Sequence, residues 1–284
     1  MMIQAQITAR LDSESEFVAL SRSWMTEARA RLFAELSRRL DEGDDSVSGA
    51  ILRVGAPSLG AWQWSAPYSS KAFDAVLESL AEGRGEGTEW MVDDAMSLDS
   101  LSCSSAMVGV DVDEAWGSWA IFKVEAGFPG SATPVAVQED LLTFIAEFAD
   151  KARASFGNIT DDNEYSRTSL EVFLPRLIDD GVRESGSVLR GYSWVTVCPP
   201  ALVERLGGFA ALNNTGAFYE VRPLAYGAAL LRSTDRLEHY DQPAMLRVFE
   251  ALAPVLPQGQ PRKLPVFEGQ VTPRLVYADA KDYA

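Results

Sequence analysis

Carboxylates are the reactive groups this sequence holds in quantity. Its 284 residues include 41 Asp and Glu against 25 Lys and Arg, with a single histidine and two cysteines. Three acidic runs stand out: Asp93–Asp94, Asp111-x-Asp113 followed by Glu114, and Asp161, Asp162 and Glu164. Oxygen ligands of this kind suit calcium or magnesium, and two suitably spaced carboxylates can cleave a glycosidic bond. Neither longer run fits the calcium-loop pattern with its central glycine and terminal glutamate. Short acidic clusters also arise by chance in so acidic a chain. An acidic binding face is therefore the preferred functional reading, and a divalent-metal enzyme built on Asp111, Asp113 and the Asp161–Glu164 run is the alternative.

Other catalytic machinery is scarce. Any Ser/His/Asp or Cys/His arrangement has to run through His239, which lies in "RLEHYDQP" just before a helix cap and reads as a solvated loop residue. One histidine rules out histidine-rich zinc sites, and Cys103 and Cys198 cannot make a structural tetrahedron. Those two are expected to be buried reduced thiols rather than a disulfide. "GYSWV" has Gly191 but places Val195 where a nucleophile elbow needs glycine. "GRGEG", Gly83–Gly87, lacks the lysine and the preceding strand of a phosphate loop. No catalytic residue, metal or cofactor is expected, and the chain reads as a non-enzyme.

The charge is lopsided. The net is -16 with a pI near 4.5, which disfavours nucleic acid and anionic membranes as direct partners. From Glu86 to Asp150 there are 13 acidic residues and one basic residue, Lys123. Asp93, Asp94, Asp111, Asp113 and Glu114 lie in this segment and are the candidate contacts for a cationic partner, with Trp116 as a candidate anchor at their centre. Of the seven tryptophans, Trp62 and Trp64 in "WQW" and Trp116 and Trp119 in "WGSW" are core or interface residues by type. No basic segment followed by an apolar stretch opens the sequence, and no apolar run approaches ~18 residues. A soluble cytoplasmic protein is expected.

The elements that must position these residues alternate. Ile3–Ala9 reads as a strand, and Ser13-x-x-Glu16 as a capping box opening one long helix that stops near Gly43. Ile51–Val54, Ala61–Trp64, Thr88–Val92, Ala106–Val112 and Trp119–Glu125 read as strands. A helix capped by Ser70 lies between the second and third of these, and Pro134 opens another that Gly157 ends. The polar segment Gly157–Ser169 follows. Then come a strand at Gly191–Val197, a short helix at Pro200–Leu206, a hairpin from Phe218–Leu224 and Ala228–Arg232, and a helix at Gln242–Val255 capped by Asp241. This order predicts an α+β fold of antiparallel sheets with helices packed on one face. Two halves of similar size are expected, 1–157 (the more acidic) and 170–284, joined by a hinge at 158–169.

"RGYSWVTVCPPALVERLGGFAAL", from Arg190, reads as a strand, a proline stop, a short helix and a Gly207–Gly208 turn, with a structural task for each special residue. Together with "GAFYEVRPLAYGAALLRST", "YDQPAMLRVFEALAPVLP" and "GQPR", it resembles the C-terminal signature of the type VI secretion immunity family, over roughly Gly186 to Arg262. The resemblance implies a protein that binds and neutralises a toxin delivered between Gram-negative bacteria, with no catalytic residues of its own. Its signature does not mark the toxin-facing surface. The acidic segment supplies that expectation: a cytoplasmic toxin with a cationic cleft, a nuclease above all. An adaptor that loads the toxin onto the secretion machinery is a further alternative.

Overall fold

In a computed structural model of the chain, the described residues are 1–56, 61–82, 87–97, 99–113, 117–162, 166–263 and 273–284. Their architecture is α+β, built on a ten-stranded antiparallel sheet. The strands are β1 (Met2–Arg10), β2 (Val47–Ala56), β3 (Ala61–Pro67), β4 (Gly87–Asp94), β5 (Ser105–Asp111), β6 (Trp119–Gly127), β7 (Phe156–Thr160), β8 (Val195–Cys198), β9 (Glu220–Pro223) and β10 (Ala229–Arg232). Their order is β3-β2-β4-β5-β6-β1-β7-β8-β10-β9. The chain forms two compact units, residues 1–4 with 10–144 and residues 5–9 with 145–284.

In the first unit, α1 (Glu14–Arg31), α2 (Ala34–Asp41) and α3 (Ser70–Ser79) cover one face of β2, β4, β5 and β6. Strand side chains alternate, so the covered face collects Ile51, Trp90, Val92, Val108, Val110, Phe122 and Val124, all buried. Trp24 of α1 sits among them, 5.7 Å from the Phe122 ring and 5.0 Å from Phe144, and its indole N–H donates to the Lys123 carbonyl at 3.1 Å. The single long helix expected after Ser13 is instead two. The chain leaves α1 at Leu32, and Phe33 turns into the core against Trp90, 6.1 Å between ring centroids. Burying that ring outweighs continuing the helix. Ser13 does accept from the Glu16 backbone N–H, but the Glu16 carboxylate reaches back to the Asp12 N–H rather than to Ser13. The α3 cap is Ser69, one residue before the expected Ser70.

In the second unit the segment that opens "RGYSWVTV" is core. Every residue from Leu189 to Pro199 is buried, but only Val195–Cys198 is strand. The Gly207–Gly208 turn after α7 (Pro200–Arg205) leads straight into a further helix, α8 (Gly208–Asn214), with Gly207 and Gly208 at φ of +85° and +80°. The hairpin β9–β10 and the Asp241 cap of α9 (Gln242–Leu252) form as expected, the Asp241 carboxylate accepting from the Ala244 N–H at 3.0 Å. Residues 273–284 also pack: Tyr283 meets Phe249 edge-on at 5.2 Å, and the Val276 N–H donates to the Tyr192 hydroxyl at 2.8 Å.

At the centre of this unit lies a fully buried ion pair between α5 (Ser169–Phe173) and Arg190. Arg190 grips Glu171 through Nε and Nη2 at 2.8 and 2.9 Å, while its other donors reach the Ser166 carbonyl and the Thr8 hydroxyl. Thr168 and Glu171 form a capping box. Gly181 in α6 (Ile178–Glu184) has no Cβ because a Cβ there would collide with the Glu171 carboxylate.

Candidate functional site

The uncovered face of the first unit's sheet is where the carboxylates gather. Cross-strand register puts Leu52, Glu89, Gly109 and Lys123 in one row, and Ala50, Met91, Met107 and Glu125 in the next. Asp93 and Ser105 continue the following row, and Asp111 flanks the first. Lys123 lies along the face and pairs with Asp111 at 2.9 Å and Glu89 at 3.0 Å. Gly109 permits this: a Cβ there would stand 2.9 Å from the Lys123 Cε. Burial alone would lower Lys123, yet Asp111 and Glu89 hold it above its ordinary value. Glu125 accepts from the Gln4 amide at 3.1 Å. Burial pushes its carboxyl up; Lys123 opposes the shift, and Glu89 and Asp111 add to it. The charge of Glu125 is therefore held at a cost in stability.

Of the expected contact residues, Asp93 and Asp111 are brought onto this face. Asp94, one residue on from Asp93, is buried on the helix side and pairs with Arg39 at 2.6 Å. Asp113 is exposed beyond the end of β5. Glu114 and Trp116 lie outside the described residues, as do the Gly83–Glu86 part of "GRGEG", Glu164 and the Trp62 side chain. Glu89, Glu125, Met91 and Met107 belong to the face but escape a search for acidic runs. The alternation Glu89, Met91, Asp93 against Trp90, Val92, Asp94 is the signal that would find them.

The rival carboxylates have other partners. Asp161 takes Arg274 in a two-pronged ion pair at 2.5 and 2.7 Å. Asp162 accepts from the Arg274 backbone N–H at 2.6 Å, from the Ser169 hydroxyl at 2.8 Å and from Thr160. Burial raises the Asp162 carboxyl. Both therefore tie Arg274 to the rest of the second unit. Among the described residues no group of three or more His, Cys, Asp or Glu is placed to hold a metal ion. His239 is 57% exposed with Nδ1 2.6 Å from Asp235, and Cys103 and Cys198 are free thiols. A cleft of about 530 Å³ on the helical side is bordered by Arg29, Asp41 and Phe73. There the Arg29 guanidinium stacks on Tyr68 and Phe73 and pairs with Asp41 at 2.7 Å.

Fold and site together define an α+β protein whose sheet is helix-covered on one side of the first unit and open, acidic and methionine-bearing on the other. No family model matches the sequence, and no curated protein matches it. Among solved structures the fold is similar to that of the Pseudomonas aeruginosa T6SS protein PA0821, with a TM-score of 0.54 at 12% identity over 99% of this chain and 80% of that one. At that identity the likeness is one of fold. Among the described residues no helix is long and apolar enough to cross a membrane.

Proposed function

We propose that this protein is an immunity protein of type VI secretion, binding and neutralising an effector toxin that acts in the cytoplasm, with a nuclease as the leading partner class. The carrying observation is the open sheet face with Glu89, Asp93, Asp111 and Glu125, on which Lys123 is the one Lys or Arg contributed by the described residues of β2, β4, β5 and β6. A toxin that holds phosphates needs a cationic cleft, and an acidic face of this kind can occupy it. Attraction between the two raises association from roughly 10⁵–10⁶ M⁻¹s⁻¹ towards 10⁸ M⁻¹s⁻¹ or above at low salt. Two further supports are the resemblance of roughly Gly186 to Arg262 to the immunity family and a fold shared with a T6SS protein. The metal-enzyme alternative is weakened because Asp161 and Asp111 are committed to Arg274 and Lys123. The adaptor alternative differs in leaving the bound toxin active.

The deciding experiment expresses the toxin-like neighbour of this gene with and without the protein. Growth rescue with loss of toxin activity in the purified complex supports immunity; an active toxin in the complex supports the adaptor. Asp93→Lys with Asp113→Lys, both at exposed positions, is expected to slow association about tenfold and flatten its salt dependence. Stopped-flow kinetics identical to the parent protein would remove this face from the interface.

A further inference from the structure

The strands under the acidic face are interior strands. β2 lies between β3 and β4, β4 between β2 and β5, and β5 between β4 and β6. Their backbone N–H and C=O groups bond to those neighbours, so a partner resting on the face finds no ladder to extend. An extended segment laid there would bury its own backbone groups without partners. A helix arrives with its backbone bonds already made.

The side chains on offer are mixed. Met2 is 45% exposed and Met91 37%, and Met107 is half-buried beside them. These three line a shallow concavity of about 240 Å³ together with Asp93 and Glu125. Thioether side chains are unbranched and polarisable, and they fit apolar groups of varied shape. Carboxylates border them on the same strands, which is the complement of an apolar stripe flanked by cations. Acidic and nucleic-acid partners are repelled by the same charge.

We propose that this face receives a basic amphipathic helix of the partner protein, its apolar stripe on Met2, Met91 and Met107 and its Lys or Arg side chains against Glu89, Asp93 and Glu125. This deepens the docking reading above and rests on it for the identity of the partner, though not for the chemistry of the surface.

The test uses methyl-labelled methionine in the full chain and two synthetic helices of about 18 residues (about five turns), one patterned from Leu and Lys and the other from Leu and Glu. The Leu/Lys helix is expected to shift the Met2, Met91 and Met107 methyl signals while leaving Met25, which is 1% exposed in the core, in place. Its affinity is expected to fall about tenfold or more between about 50 and about 300 mM salt. The Leu/Glu helix is expected to shift none of them. Met91→Lys with Asp93→Lys changes two exposed side chains and is expected to weaken the Leu/Lys helix about tenfold. The proposal is overturned if the Leu/Lys helix binds without moving the three methyl signals, if both helices bind alike, or if the variant binds as tightly as the parent. Methyl shifts without protection against the toxin would uphold the surface and sink the immunity reading. Protection without methyl shifts would do the reverse.

Discussion

Removing one side of the buried Arg190–Glu171 pair should unfold the second unit more readily than any surface change in it. Both side chains are fully buried. Glu171→Leu deletes two charge-assisted bonds to Arg190 and the acceptor for the Thr168 N–H at 2.8 Å. It leaves a guanidinium in the core with only the Ser166 carbonyl, the Thr8 hydroxyl and a cation–π contact to Phe156 at 5.5 Å. An uncompensated buried charge costs about 3–5 kcal/mol, and the lost cap contributes about 1 kcal/mol towards the upper end. Arg190→Met alone strands the carboxylate and belongs in the same range. The double variant removes both charges, and buried pairs replaced by apolar groups are often neutral or stabilising. It should therefore fall short of the summed single effects by at least about 2 kcal/mol. Urea unfolding followed by labelling of the Cys198 thiol, itself 0% exposed in this unit, reads the effect locally. Single variants within about 1 kcal/mol of the parent, or a double variant equal to the sum of the singles, would refute the reasoning.

Three further outcomes are expected. Glu125 binds its proton more tightly in the folded protein than in the unfolded chain, so its charge costs stability above the raised pKa and costs nothing below about pH 4. Glu125→Gln should accordingly raise the thermal midpoint at pH 7, with the gain vanishing on acidification; an equal gain at both pH values would contradict this. Asp241→Ala should destabilise by about 1 kcal/mol through loss of the α9 cap, measured by urea denaturation. Cys198, whose thiol burial pushes up to about 12, should resist a thiol reagent at pH 8 until the protein is unfolded, as counted by mass spectrometry.

Much of the fold was legible locally. Period-two and helical spacing located β1, β4, β5, β6, α4 (Val135–Ala152) and α9, because those patterns are written within a few neighbouring residues. Errors came where a distant partner decided the outcome. The α1–α2 break depends on Trp90, far along the chain, which receives Phe33. The described residues of the polar segment 158–169 are largely buried because Asp162, Thr168 and Ser166 find partners in Arg274 and Arg190. Low apolar content there reflects internal polar bonding rather than exposure. The Thr168-x-x-Glu171 capping box was present in the sequence as a signal for α5.

By itself the sequence determines the excess and placement of negative charge along the chain, the poverty of imidazole and thiol groups, and the rhythm of strands and helices. Tertiary structure decides what each carboxylate does. Asp93 and Asp94 are adjacent, yet one faces outward and the other pairs with Arg39 in the interior, because neighbouring strand residues point to opposite faces and a one-residue change of register would exchange them. Asp161 and Arg274 meet across 113 positions, and Glu171 and Arg190 across 19. A charge's partner depends on which strands lie side by side, and that long-range choice is encoded in no single short stretch of residues.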